Sequence, residues 1–414
     1  MSFETGWRKC TWGDISTLEY GKALRDYKDK TSGYPVYGTN GLIGYTEKYL
    51  SDKPGVIIGR KGAYRGVHYS NRPFFVIDTA YYLSPKIPQL NLRWAYYSLR
   101  NIDINSMDSG SAIPSTSRSD FYSIEVDLPD IYEQQKIANL LSVLDDKIEL
   151  NNAINKNLEE MAQALFNSWF VDFEFPNENG EPYKSSGGEF EESELGLIPK
   201  GWKVRTLGEF CEISTTSINP VTLPDIIFEH YSLPAFDSGR LPVFESGSEI
   251  KSNKYKVSKN SILVSKLNPE TKRIWNPYCL TEYAICSTEF MNYIPINSRL
   301  RAYSYSILNS EGFHQYLVGN TTGSTNSRQR VNPKATLQYK FVYGGTDIAY
   351  IFNDLVSAIY KKINENTLEN KYLASTRDTL LPKLMSGEIR VPVERDHSAP
   401  DLPMVAESST IYQP

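Results

Sequence analysis

Gly6-Trp7-Arg8-Lys9-Cys10-Thr11-Trp12-Gly13-Asp14 opens the chain, and Gly201-Trp202-Lys203-Val204-Arg205-Thr206-Leu207-Gly208-Glu209 repeats its pattern 195 residues later, Trp7 to Trp202. A Gly-Ser step, Gly110-Ser111, returns as Gly323-Ser324 at an offset of 213. Leu141-Ser142-Val143-Leu144-x-x-Lys147-Ile148 returns as Val356-Ser357-Ala358-Ile359-x-x-Lys362-Ile363 at an offset of 215. A period near 200 residues lies far above the ~20–50 residues of a solenoid unit. It implies two whole domains of one kind, each followed by a long helix. The offset grows within the second copy, which has therefore gained roughly 18 residues.

Residues 1–129 read as a mixed α/β domain. Val56-Ile57-Ile58 and Phe74-Phe75-Val76-Ile77 are apolar runs bounded by Gly and Pro, the pattern of buried strands. Gly-rich turns separate them, and Leu92 to Leu99 has the pattern of a short helix. Pro129-Asp130-x-x-Glu133 then reads as a helix start, with Asp130 as cap and Glu133 reaching back to close a capping box. Apolar residues follow at heptad spacing: Ile137, Leu141, Leu144, Ile148, then Leu158, Ala162, Leu165 and Trp169. No Pro or Gly interrupts 131–175, which predicts a first long helix over 130–175. Its seam alone is ~50 Å long at ~1.5 Å per residue, and one apolar stripe of that length needs a partner helix. Residues 176–200, with Pro176, Gly180, Pro182, Gly187, Gly188 and a run of acid, read as a linker or solvated loop. Residues 201–345 repeat the domain, 346–390 the long helix, and the Pro-, Ser- and acid-bearing tail 391–414 reads as disordered.

Adding the offset of 215 to the first seam gives Phe352, Val356, Ile359, Ile363, Leu373, Arg377, Leu380 and Leu384. The gap in the first stripe is filled by Asn151 and Asn155, and the same arithmetic gives Asn366 and Asn370. Buried Asn lowers coiled-coil stability but fixes register, because Asn facing Leu loses its hydrogen bonds. Antiparallel pairing about a pseudo-two-fold axis sets Asn151 against Asn370 and Asn155 against Asn366. The alternative is that these residues sit on a solvated stretch or face a partner protein. The expected fold class is α+β: two mixed α/β domains in pseudo-two-fold arrangement, separated by two long helices forming an antiparallel coiled coil.

With 40% hydrophobic and 22% charged residues the chain suits a globular protein, and its net charge of −5 argues against indiscriminate coating of nucleic acid. No apolar run is long enough to span a bilayer and no signal peptide is visible, so no membrane partner and a cytoplasmic location are expected. Cys10, Cys211, Cys279 and Cys286 form no Cys-x-x-Cys pair, and the four histidines are thin stock for a metal site. The expectation is therefore no metal and no catalytic residue. A phosphate-cradling Gly-x-x-x-x-Gly-Lys-Ser/Thr loop is missing, as are the esterase and zinc-protease motifs. Asn276-Pro277-Tyr278 is one Pro short of a methyltransferase amine-binding loop. Asp145 and Lys147, two apart on a helix, cannot share one metal as a nuclease motif would require.

What remains is binding. Arg60, Lys61, Tyr64 and Arg65 sit on the Gly-bounded turn Gly59 to Gly66, and Arg is well shaped to bridge guanine or phosphate. In the second domain the corresponding strand ends at Ser265-Lys266-x-Asn268, with Lys272 and Arg273 beyond. A second loop follows each Gly-Ser step: Ser115, Ser117 and Arg118 after Gly110-Ser111, and Ser327, Arg328, Gln329 and Arg330 after Ser324. A charged loop alone is more often a solvated hairpin. Recurrence in both copies of a chain with 29 tyrosines favours DNA contact.

The chain resembles the specificity subunits of type I restriction–modification enzymes. The resemblance is carried by Tyr34-Pro35-Val36-Tyr37-Gly38-Thr39-Asn40-Gly41, Gly59 to Gly66, Gly110-Ser111 and Leu128-Pro129-x-x-x-Glu133-Gln134. Leu195-Gly196-x-Ile198-Pro199-x-Gly201-Trp202 and Leu384-Met385-Ser386-Gly387-Glu388-Ile389 add to it, and together the motifs cover roughly residues 6 to 390. The resemblance implies two target recognition domains, each reading one half of a bipartite site on double-stranded DNA. It implies two helices packed as an antiparallel coiled coil that set the unread spacer and dock two methylation subunits, with nuclease/translocase subunits joining. It further implies a non-catalytic chain that binds no cofactor, with S-adenosylmethionine, ATP and magnesium on its partners. The second helix departs from the pattern by starting at Gly345-Thr346-Asp347. A self-contained DNA-modification enzyme and a coiled-coil scaffold with two protein-binding domains are the competing classes.

Overall fold

The computed structural model describes residues 6–62, 64–107, 114–322 and 329–392. The chain divides into two compact units, Met1–Ile148 with Tyr372–Pro414, and Glu149–Lys371. Each unit holds one of the repeated domains and a segment of both long helices, Ile131–Phe170 and Thr346–Met385.

Both domains are built on one topology. The first has a four-stranded antiparallel sheet in the order Ser16–Tyr20, Ala80–Pro85, Gly55–Gly59, Val67–Ser70. The second has Cys211–Ser214, Phe290–Pro295, Ile262–Ser265, Ile274–Trp275 in the same order. An outer ribbon closes each domain, Arg8–Thr11 with Glu125–Leu128 and Lys203–Thr206 with Lys340–Tyr343. The repeated Gly-Trp opening thus starts the strand that pairs with the end of its own domain.

The apolar run at Val56-Ile57-Ile58 is buried on both faces. Val56 and Ile58 point into the main core with Trp12, Trp94 and Phe121, while Ile57 packs on Phe74, Val76 and Ala80. Residues alternate across a strand, so a strand between two cores must be apolar throughout. Ile262, Leu263 and Val264 divide between two cores in the same way. The extra residues of the second copy lie in the accessory sheet. It has three strands in the first domain (Gly41–Thr46, Tyr34–Gly38, Phe75–Val76) and five in the second, where Ser217–Ile218 and Lys254–Lys256 extend one edge.

One reading of the sequence is corrected and one is extended. Residues 176–200 are not an open linker. Phe190–Ser193 and Gly196–Pro199 form an antiparallel hairpin, and Phe175 stacks on Tyr183 (4.6 Å) and lies 4.4 Å from the Trp202 ring. The Gly and Pro residues make tight turns, and the aromatics between them supply the burial that holds the segment down. The Glu133 carboxylate also has partners that the sequence spacing did not suggest. Asp130 caps the Glu133 backbone N–H (2.9 Å), and the buried Glu133 carboxylate accepts from Arg390 Nε (2.6 Å), Arg390 Nη2 (2.9 Å) and Trp7 Nε1 (2.9 Å). The neighbouring Gln134 is fully buried, donating to Gln89 O and Pro129 O and accepting from Asn91 N. The Pro-x-x-x-Glu-Gln start is therefore a polar knot that ties the helix to its domain.

Within the second unit the long helices run antiparallel. Asn151 Nδ2 donates to Asn370 Oδ1, and Asn366 Nδ2 donates to Asn155 Oδ1, both at 2.9 Å. The surrounding bonds follow the same two-fold pattern. Asn370 donates to Asn152 (2.9 Å), and Asn155 donates to Thr367 (3.2 Å), the residue that the offset of 215 pairs with Asn152. Asn151 and Asn366 are the buried members. In the first unit the seam residue Arg377 meets Asp145 (2.5 Å), whose other oxygen accepts from Tyr97 Oη (2.6 Å). The Asp145 carboxylate is thus a structural tie, consistent with its rejection as a metal ligand.

The amide pairs give a test. Asn151→Leu removes the donor to Asn370 Oδ1 and Glu369 and should lower stability by about 1–3 kcal/mol. The double variant Asn155→Leu/Asn366→Leu removes both partners of one pair and should recover much of the loss of either single variant. Urea denaturation of the four variants checks this; additive losses in the double variant contradict it.

Candidate nucleic-acid interface

In each domain the two loops nominated by sequence are fastened together at one place in the fold. In the first, the buried strand Gly55–Gly59 runs into the 59–66 turn, and Lys61 bridges to Ser115. Thr116 N donates to Arg60 O (2.9 Å), and Gly62 N donates to Pro114 O (3.0 Å). In the second, Ile262–Ser265 runs into the corresponding loop, and Leu267 bridges to Arg330. Val331 N donates to Lys266 O (3.1 Å), and Asn268 N donates to Gln329 O (2.9 Å). The equivalent bonds at Thr116 and Val331 make Arg60 and Lys266 counterparts. Gly62 has φ of +118°, and a side chain at Gly59 would meet Thr39 O at 2.8 Å, so both glycines are required by the turn.

Arg65 is the clear correction in this loop. It was nominated for DNA contact, but it is only 4% exposed. Its Nη2 donates to Asn105 O (2.9 Å), Met107 O (3.1 Å) and Ile104 O (3.4 Å), and its backbone N–H donates to Asn105 Oδ1 (2.7 Å). Three carbonyls converge on one guanidinium nitrogen, while Nε and Nη1 are buried with no hydrogen-bond partner among the described residues, so Arg65 points inward and anchors the turn. That anchor displays Tyr64, which is 81% exposed, and Lys61, which is also exposed.

Arg60 and Arg118 converge on Tyr20, a residue the sequence did not single out. Their guanidinium carbons lie 4.8 Å and 5.1 Å from its ring centroid. Arg60 Nη1 donates to Asp78 O (2.9 Å), and Arg118 Nη2 donates to Tyr122 Oη (2.9 Å). The adjacent Arg118 guanidinium holds the Tyr20 phenol below its ordinary pKa. Among the described residues neither arginine, nor Lys61, has a carboxylate within ion-pair distance. The only sequence signal for Tyr20 is an aromatic at a strand end before Gly21, and its partners lie 40 and 98 residues away.

The second domain is wired differently. Arg273 forms a two-point pair with Asp237 (2.7 and 3.0 Å), and Arg330 forms one with Glu289 (3.1 and 3.0 Å). Lys266, Asn268 and Gln329 lie half-buried beside them, with Asn268 in the left-handed region at φ of 48°. Gly110, Ser111, Ser324 and Arg328 lie outside the described residues, as do Ser327 and the tail from 393. Among the described residues no group of His, Cys, Asp or Glu is placed to hold a metal ion. Burial pushes the Cys211 and Cys279 thiols up to about 12, the opposite of an activated nucleophile. No described helix is long and apolar enough to cross a membrane.

Residues 4–160 match the family model of the type I restriction modification DNA specificity domain. The chain is 26% identical over 329 residues to the HindI specificity subunit of a type I restriction enzyme from Haemophilus influenzae, covering 64% of this chain and 69% of that protein. It is 27% identical over 311 residues to the MjaIX specificity subunit from Methanocaldococcus jannaschii, covering 70% and 66%. The matches thus span about two thirds of these relatives. The fold is similar to the crystal structure of a type I restriction–modification S subunit from M. genitalium, with TM-score 0.61, 19% identity, and coverage of 93% of this chain and 97% of that one.

The anchoring role of Arg65 is testable apart from DNA. Arg65→Ala should destabilise the protein by about 1–3 kcal/mol and speed amide exchange across 59–66. Unchanged exchange in hydrogen–deuterium measurements would show that the loop does not depend on it.

Proposed function

We propose that the chain is a non-catalytic, DNA-recognising specificity subunit of a type I restriction–modification system that reads a bipartite site with one half-site per recognition domain. The match of residues 4–160 to the DNA specificity domain and the similarity to two specificity subunits support this reading. The observation that carries this reading is the matched loop pair: Lys61 bridged to Ser115 and Leu267 bridged to Arg330, at equivalent places on two copies of one sheet. One construction holding different side chains suits two readers of different sequences. The residues nominated in residues 1–129 and 201–345 then contact DNA, with Arg65 as support.

The long helices act as the ruler. Their paired asparagines hold one register, and a fixed register keeps the unread spacer constant. The helices also dock two methylation subunits, and nuclease/translocase subunits join the assembly in the cytoplasm. S-adenosylmethionine, ATP and magnesium belong to those partners. The outward face of the helices supports docking. Leu140 on the first helix and Leu355 on the second are equivalent by the offset of 215, and they are 44% and 49% exposed. A leucine left half-bare at matching places in both repeats fits two like partners.

Two outcomes are expected. Replacing residues 1–129 with another such domain should change one half-site only, and adding one heptad to both helices should alter the spacer and leave both half-sites intact. Sequencing of methylated DNA from cells carrying these variants reads both; a change in the wrong element contradicts the proposal. Leu140→Glu and Leu355→Glu should each weaken co-purification with methylation subunits without unfolding the chain. Full assembly of the double variant would remove this docking face.

A further inference from the structure

The two domains differ in how they hold their arginines. Arg273 and Arg330 in the second domain each spend two donors on a carboxylate. In the first domain Arg60 has no such partner among the described residues. Its guanidinium is stacked on Tyr20 at 4.8 Å and lies 5.6 Å from the Tyr81 centroid, and one terminal nitrogen is tied to Asp78 O. Stacking and that single bond hold the group in place, and its Nε–Nη2 edge has no hydrogen-bond partner among the described residues. Arg118 lies over the same Tyr20 ring and over Tyr122 (5.6 Å). Two cations on one half-exposed phenol (47%) repel each other until acceptors arrive.

From this geometry we infer that the first recognition domain reads a guanine in its half-site through the Nε–Nη2 edge of Arg60, with Tyr20 and Arg118 as positioning residues. The inference rests on the DNA-recognition reading above. A planar edge with two parallel donors matches the O6 and N7 acceptors of guanine in the major groove, and no other base offers that pair. Phosphate contact needs charge but no fixed plane, and the adjacent exposed Lys61 can supply it. The second domain has Lys266 at the equivalent backbone position, a point charge without a fork. The two domains therefore read different bases from one place in the fold.

The test uses the chain assembled with its methylation subunits and a DNA library randomised at the bound site. Arg60→Ala should reduce preference at one G·C position roughly 10- to 100-fold and leave the other half-site unchanged. Arg60→Lys should not restore it, since charge without the fork does not suffice. Tyr20→Phe should retain the preference, and Tyr20→Leu should weaken it at the same position. Circular dichroism of each variant assures that the fold persists, and Arg60→Lys and Tyr20→Phe keep the test decisive if the larger changes unfold the domain. Uniform weakening across all sequences, rescued by Arg60→Lys and with a salt dependence smaller by about one ion, would make Arg60 a phosphate contact and overturn the inference. A half-site without guanine would overturn it as well. If the unmodified complex shows no bipartite preference, the recognition reading itself fails, whatever Arg60 does.

Discussion

The side-chain hydrogen bonds between Asn151 and Asn370 and between Asn366 and Asn155 fix which residues of the two long helices face each other. A slip of one heptad in one direction would set Asn151 opposite Ile363 and Asn155 opposite Ile359, at about 1–3 kcal/mol for each buried group left unpaired. An all-aliphatic seam would tolerate such a slip far better. The register also places Asn152 and Thr367 as equivalent partners in the same network. Elsewhere along the same helices, Arg377 meets Asp145 at a position where another alignment would leave a largely buried guanidinium without its carboxylate.

Against that fixed register, the repeated domains have diverged in a patterned way. The four-stranded sheets, the closing ribbons and the bridge between the two loops are kept. The side chains on the bridged loops are not. Arg60 lies on an aromatic ring where Lys266 has its backbone counterpart, and the second domain neutralises its arginines with Asp237 and Glu289. Backbone hydrogen bonds hold the loops regardless of side chain, so the exposed side chains can change without unmaking the scaffold. Under the proposed function, a chain of net charge −5 would bind DNA through these loops rather than through an overall basic surface.

Much of this was legible in the sequence because it depends on local spacing. The repeat, both long helices and the facing asparagines follow from periodicity and a constant offset, and the apolar run at Val56-Ile57-Ile58 marks a strand between two cores. What was not legible depends on contacts distant in sequence. Arg65 looked like its neighbours Arg60 and Lys61, and only the carbonyls of residues 104–107 make it a buried anchor. Glu133 had the spacing of a capping box, which did not suggest that Arg390, 257 residues away, and Trp7 also bind its carboxylate. Tyr20 has no motif, and its role arises from two arginines in other loops. The Pro, Gly and acidic residues of 176–200 read as a linker or solvated loop, yet Phe190–Ser193 pairs with Gly196–Pro199, and Tyr183 stacks on Phe175 beside Trp202.

The central claim is that one chain holds two different readers on a register-locked pair of helices. The most direct measurement is the methylation motif written by the chain assembled with its methylation subunits, read by sequencing modified bases across a genome. The account predicts one motif of two short defined parts separated by a gap of constant length and no sequence preference. A single continuous motif, or methyl transfer by this chain alone, would contradict it.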